Sequence, residues 1–213
     1  MTNKRLGNRW LLAAALSVCA LNVAQAQTAR TTTAFSYLQR GHEWSARGEH
    51  ERARADYDLA VMADPKVAAV WFARGLARRN QGDLAGALAD LERAIALAPQ
   101  DAIARYQYGS TLHLQGQLAA AEADYNAALK LNPRLAEAFN DRGVLRHRRG
   151  DVTGALSDYG QAMKVRKKWA MPYLHRGIAL LELGRRAEAE RDLAMAVRLQ
   201  PAWQATVKQL LAQ

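Results

Sequence analysis

The sequence predicts an all-α protein assembled from repeated helical hairpins, and three observations carry that prediction. Four small-residue series keep one step of 34 residues: Gly41, Gly75, Gly109, Gly143, Gly177; Gly48, Gly82, Gly116, Gly150, Gly184; Ala53, Ala87, Ala121, Ala155, Ala189; and Ala60, Ala94, Ala128, Ala162, Ala196. A period of this size, held over five units without an insertion, marks an array of two-helix bricks that bury their apolar faces against one another. Half of the 213 residues are hydrophobic and 23% are charged, with alanine, leucine and arginine dominant, a mixture that folds and favours helix. Proline-bearing breaks, "ADPK" (63–66), "LAPQ" (97–100), "LNPR" (131–134) and "LQPA" (199–202), end four of the units.

The chain opens on a different pattern. Lys4, Arg5 and Arg9 precede an apolar run of 12 residues (10–21), and Ala24-Gln25-Ala26 closes it with small residues. That is the layout of a secretory signal, cleaved after Ala26. The run is shorter than the ~20 residues of a membrane span, so the protein is expected to be periplasmic or secreted and not membrane-spanning. Cys19, the single cysteine, offers the less favoured alternative of a lipid anchor, with Val18 where a small residue would be usual. Without Lys4, Arg5 and Arg9 the formal charge drops from +10 to +7, so the basic character belongs to the body of the chain.

After a lead-in (27–33), the units run 34–67, 68–101, 102–135, 136–169 and 170–203. The first glycine of each lies inside a helix, where it costs about 1 kcal/mol against alanine. Close approach of the second helix, at Ala155 for Gly143, is the expected compensation. The second glycine ends the first helix in a left-handed conformation. Asp83 and Asp151 follow it as helix caps. Asp64 and Asn132 are also expected to cap, with the prolines behind them in the next helix's first turn. The fourth unit has Lys167 at the proline place and Pro172 five residues later. This predicts a helix beginning near Met171 or Pro172 and a longer, exposed link over 165–170. Residues 204–213 place Val207, Leu210 and Leu211 on one face, as a capping helix would.

The unit resembles the tetratricopeptide repeat. Trp71, Gly75, Ala87, Leu91, Ala94 and Pro99 match that family's pattern in one unit. Phe139, Gly143, Ala155, Tyr159 and Ala162 match it in another, which lacks the final proline. The resemblance covers residues 34–203 and implies a right-handed solenoid of five helix–turn–helix repeats with a C-terminal capping helix. It further implies a concave groove lined by the first helices. Carried over by place, the groove residues are Leu38, His42, Phe72, Leu76 and Arg79, then Tyr106, Ser110, His113, Asn140, Val144, His147, Leu174 and Ile178. Such a face suits an extended peptide or a partner helix. The places at which some members hold a C-terminal carboxylate with lysine and asparagine carry Leu38 and His42 in the first unit, which argues against that mode.

Arg40, Arg74, Arg142 and Arg176 precede the first glycine, and Asp56, Asp90, Asp124, Asp158 and Asp192 recur with the period; only Tyr108 departs. Ion pairs tying the two helices of each hairpin explain both series better than a ligand site. His42, His113, His147 and His175 fall on or beside the implied groove. Histidines so placed suit a pH-sensitive role more than a metal site, because adjacent helices ~10 Å apart do not bring two rings onto one ion. No phosphate loop, His-Glu-x-x-His or Gly-x-Ser-x-Gly motif occurs, and no cofactor is implied. Residues 136–169 hold eight Lys or Arg against four acids, giving a basic patch of Arg146, Arg148, Arg149, Arg166, Lys167 and Lys168. The sequence therefore points to a non-enzymatic exported adaptor that binds a protein or peptide, with a place in envelope complex assembly. The competing reading is an anionic envelope polymer or acidic surface held by the fourth unit; export disfavours nucleic acid.

Overall fold

The computed structural model describes residues 3–212, with side chains from Asn22 onward. The expected signal segment and Cys19 fall mostly outside the described side chains. The described residues are helical, 83% of the chain, with no strand among them. The chain divides into two compact units, Met1–Pro99 and Gln100–Gln213. The first contains α1 (Asn3–Ala46), α2 (His50–Ala63), α3 (Ala68–Asn80) and α4 (Leu84–Leu97). The second contains α5 (Ala102–Leu114), α6 (Leu118–Leu131), α7 (Ala136–Arg148), α8 (Val152–Val165), α9 (Ala170–Glu182) and α10 (Arg186–Leu199). A 3-10 turn (Pro201–Trp203) and α11 (Gln204–Leu211) complete it. In each unit consecutive helices pair as antiparallel hairpins, and each hairpin packs on the next.

Every hairpin turns over three residues whose last helical carbonyls are closed by a left-handed glycine. At Gly82 φ is +86°, the Gly82 N–H donates to the Arg79 carbonyl at 3.0 Å, and the Asp83 N–H donates to the Arg78 carbonyl at 3.0 Å. An L side chain is disfavoured at that φ, so the glycine series follows from the turn. Asp83 and Asp151 then cap α4 and α8, each Oδ1 accepting from the N–H three residues on, Gly86 and Gly154, at 2.9 Å. At Gly86 and Gly154, which lie off the five-fold series, a Cβ would sit 2.2 Å from the capping carboxylate, whose flexible end would have to turn aside.

The interior glycines do allow close approach, and at three of them the paired alanine is among the groups admitted: a Cβ on Gly75, Gly109 or Gly177 would meet the carbonyl oxygen of Ala87, Ala121 or Ala189 at 3.3, 3.2 or 3.5 Å. A Cβ on Gly143 would meet Tyr159 Cε1 at 2.7 Å; Ala155 is not among the nearest groups. On Gly177 it would meet Leu193 Cγ at 2.7 Å, and on Gly41, Tyr57 Cε1 at 2.6 Å. The ring or leucine 16 residues on lies over the glycine. The paired alanines are fully buried, with Ala155 and Ala189 at 0% exposure.

Two other expectations are corrected. Asp64 and Asn132 do not cap the following helix. They end α2 and α6, and their Oδ1 atoms accept from the N–H two residues on, Lys66 at 3.1 Å and Arg134 at 2.9 Å. The prolines lie in the turn, because four residues are needed before α3 and α7 start at Ala68 and Ala136. The link after α8 is likewise four residues, no longer than the others, since α9 begins at Ala170. Pro172 is buried as the third residue of α9, where its missing N–H has no helical partner to lose. Val207 of α11 is buried at 6% exposure, and Arg186 of α10 donates to the Leu211 carbonyl.

Candidate functional site

Within each hairpin an arginine of the first helix clasps an aspartate of the second. Nε and Nη2 of Arg40, Arg74, Arg142 and Arg176 donate to both carboxylate oxygens of Asp56, Asp90, Asp158 and Asp192 at 2.5–2.9 Å. The four aspartates are buried. The Arg40 hydrogen bonds hold the Asp56 carboxyl below its usual range. In the third hairpin Tyr108 displaces the arginine, and Arg105, one turn earlier, makes a single bond to Asp124 at 3.2 Å. Burial there outweighs the pairing and pushes the Asp124 carboxyl up, while the buried Arg105 Nε has no hydrogen-bond partner. These charges belong to the scaffold, because pairing is what makes their burial tolerable.

The first helices carry a second set of polar contacts. In the second unit, side chains on α5, α7 and α9 join to the next first helix 35 residues on. Tyr106 Oη donates to Asp141 Oδ2 at 2.7 Å. His113 Nε2 lies 3.4 Å from Arg148 Nη1, and His147 Nε2 lies 2.7 Å from Glu182 Oε2. Asn140 Oδ1 lies 3.0 Å from His175 Nδ1, and Asn140 Nδ2 donates to Asp141 Oδ1 at 3.0 Å. A 34-residue repeat sets equivalent first-helix positions side by side, so polar groups one residue out of step face each other. Burial, reinforced by Asp141, raises the Tyr106 phenol. Burial lowers the imidazoles of His113 and His175, and Arg148 adds to the effect at His113.

The expected groove residues divide accordingly. Ser110, His113, Val144, His147, Leu174 and Ile178 are half-buried on α5, α7 and α9. Tyr106 is held by Asp141. Asn140, at 3% exposure, is a correction: it serves helix–helix packing, and its amide is used within the protein. In the first unit Leu38 is also buried, at 7% exposure, because it packs in a cluster with Ala53, Tyr57 and Val70. His42 is exposed, with Nδ1 3.1 Å from Tyr57 Oη, and Phe72, Leu76 and Arg79 are half-buried on α3. The 35-residue polar pairs were the missed signal, visible in the sequence only once equivalent helices are known to stand side by side.

The basic residues do not form one patch. Arg146 is drawn inward by Glu122 and Asp158, both at 3.0 Å, and Arg149 pairs with Glu122 at 2.6 Å. These end α7, whereas Arg166, Lys167 and Lys168 follow the end of α8. In an antiparallel hairpin those ends lie a helix length apart, ~20 Å for 13 residues. Arg166 pairs with Glu137 at the start of α7, as that geometry requires. Among the described residues no group of three or more His, Cys, Asp or Glu is placed to hold a metal, and no helix is long and apolar enough to cross a membrane.

Models of the tetratricopeptide repeat match residues 38–106, 91–123 and 109–150, together more than half of the sequence. The chain belongs to the tetratricopeptide-repeat family. Solved structures of other members resemble it. MamA from Desulfovibrio magneticus RS-1 aligns at 17% identity over 81% of this chain and 97% of its own, with a TM-score of 0.70. PilF from Pseudomonas aeruginosa aligns at 18% over 86% and 89%, with a TM-score of 0.71. YrrB, described as a tetratricopeptide-repeat protein with an unusual peptide-binding site, aligns at 24% over 78% and 85%, with a TM-score of 0.61. At these identities the likeness is one of fold. A search of curated sequences finds no match. The tetratricopeptide repeats thus supply the frame on which the ladder of α5, α7 and α9 is built.

Proposed function

We propose that this tetratricopeptide-repeat protein is a non-enzymatic scaffold, exported to the periplasm or beyond, whose first-helix face holds a protein segment during assembly of an envelope complex. The carrying observation is the ladder of 35-residue contacts. Tyr106–Asp141, Asn140–His175 and His147–Glu182 fix neighbouring first helices to one another and leave Ser110, Val144 and Ile178 between them, half-buried. A surface already rigid before it meets a partner loses little conformational freedom on binding. The peptide-binding description of YrrB supports the same class of role.

The test is a photo-crosslinking amino acid placed at Ser110, Val144 or Ile178 and, as a control, at exposed Arg198 of α10. Discrete adducts from the first-helix positions and none from Arg198 are expected in the native host. Their absence, or equal labelling at Arg198, overturns the face assignment. N-terminal sequencing of the purified protein is expected to begin at Gln27; an intact Met1 or a lipidated Cys19 overturns export by cleavage after Ala26.

A further inference from the structure

Arg74, Arg142 and Arg176 occupy one repeat position and grip their aspartates alike, yet their third nitrogen differs. Arg74 Nη1 donates at 2.9 Å to Asp58 Oδ1, 16 residues back on the preceding hairpin's second helix. Arg142 Nη1 donates to Asn126 Oδ1 at the same interval. For Arg176 that place is Gly160, which has no side chain. A Cβ there would rest 3.6 Å from Arg176 Nη1, in ordinary contact, so nothing steric demands the glycine. The Arg176 side chain is 31% exposed, against 13% for Arg74 and 15% for Arg142. Beside Gly160 an open cleft of about 510 Å³ lies between α8 and α9. Its walls include Gln161, Lys164, Lys167, Tyr173 and Arg176, and no carboxylate lines it. Lys164 and Lys167 also border a depression with Arg134 and Lys168.

We propose that this cleft receives an acidic side chain from a peptide partner, whose carboxylate takes at Arg176 Nη1 the place that Asp58 takes at Arg74. The second hairpin shows that the arrangement is stable in this fold: Arg74 carries two carboxylates at once, Asp90 at 2.8 Å and Asp58 at 2.9 Å. Asp192 pins the other two nitrogens of Arg176, so Nη1 is aimed before the ligand arrives. A charge-assisted bond from a fixed guanidinium is directional and strong for its size. Lys164 and Lys167 supply the field that draws an anion to it. The site shares no residue with the first-helix face, and rests on the scaffold reading only in drawing its carboxylate from a protein.

The test is fluorescence anisotropy with a labelled, C-terminally amidated hexaglutamate peptide. The comparisons are hexaglutamine, an acid-free peptide with a free C-terminus, and inorganic polyphosphate as competitor. Gly160→Asp and Gly160→Asn restore the internal acceptor, and Gly160→Ala leaves Nη1 open. Hexaglutamate is expected to bind the parent and Gly160→Ala alike, and at least tenfold more weakly to Gly160→Asp and Gly160→Asn, both melting no lower than the parent. Equal binding to the parent and Gly160→Asn would assign the affinity to diffuse charge and overturn the site. Absence of hexaglutamate binding, binding of the free C-terminus alone, or binding of polyphosphate alone would overturn it as well. Failure of crosslinking at Ser110 does not enter this measurement, so the two readings fail separately.

Discussion

Gly143→Ala tests whether the helix-interior glycines are there for packing. The substitution gains about 1 kcal/mol of helix propensity. Against that, the new Cβ lies 2.7 and 2.9 Å from Tyr159 Cε1 and Cδ1 and 3.3 Å from Asp158 Cβ, where carbon atoms prefer roughly 3.5–4.0 Å. The ring cannot simply move aside. Tyr159 is 1% exposed, its centroid is 5.6 Å from that of His175, and Asp158 is clasped by Arg142. Overpacking of this kind costs about 1–3 kcal/mol, leaving a net loss of roughly 0–2 kcal/mol. Gly75→Ala is the internal comparison. Its closest approach is 3.1 Å, to Leu91 Cγ, a relief of a few tenths of an ångström, so propensity and packing nearly cancel. Gly143→Ala is expected to lie below Gly75→Ala by up to about 2 kcal/mol. At about 2–4 °C per kcal/mol for a chain of this size, that is up to roughly 8 °C in Tm. Thermal and urea unfolding followed by far-UV circular dichroism measure it. If Gly143→Ala melts at or above Gly75→Ala, the close approach to Tyr159 does not govern these positions.

Tyr108→Arg should install in the third hairpin the two-pronged grip that the others have, raising Tm by a few degrees; combination with Asp124→Asn should abolish the gain, and an unchanged melt for the single variant would refute it. At neutral pH, Asp158→Asn should be far more costly than Asp124→Asn, toward the ~3–5 kcal/mol of a broken buried pair, since Asp158 holds Arg142 and Arg146 while Asp124 holds Arg105 by one bond. Urea titration of both variants decides it. Burial lowers the folded-state pKa of His175 below the ordinary imidazole value of about 6.5, so between those two values the unfolded chain binds more protons and stability rises with pH. Lowering the pH below about 6.5 should therefore lower Tm, and His175→Gln, which keeps an amide donor near Asn140, should reduce that slope. A parent and variant with parallel pH profiles would remove His175 as the cause. Gly150→Ala, at φ +85°, should cost about 1 kcal/mol or more despite open space around it; a neutral result in urea unfolding would mean the turn relaxes.

Much of the hairpin was readable directly, because its determinants are local or repeat with the period. The left-handed glycines, the Asp83 and Asp151 caps and the Arg–Asp pairs recur in the sequence at the spacings at which they meet in space. Expectations failed where direction mattered. Asp64 and Asn132 have the composition of helix starts, yet they close the helices before them. Arg146 reads as part of a basic cluster, but its helix face turns it toward Glu122 and Asp158. Asn140 reads as groove lining, but it lies between α7 and α9 and is consumed by His175 and Asp141.

The sequence by itself determined that the body of this protein is a run of like helical hairpins, since a 34-residue period kept over five units without an insertion marks an array of two-helix bricks. Tertiary structure alone decided which polar groups remain for a partner. One residue of offset between neighbouring helices pairs Tyr106 with Asp141 and His147 with Glu182. One missing side chain at Gly160 leaves Arg176 with a donor its counterparts have used. Both depend on side-chain direction across helices, which periodicity along the chain does not encode.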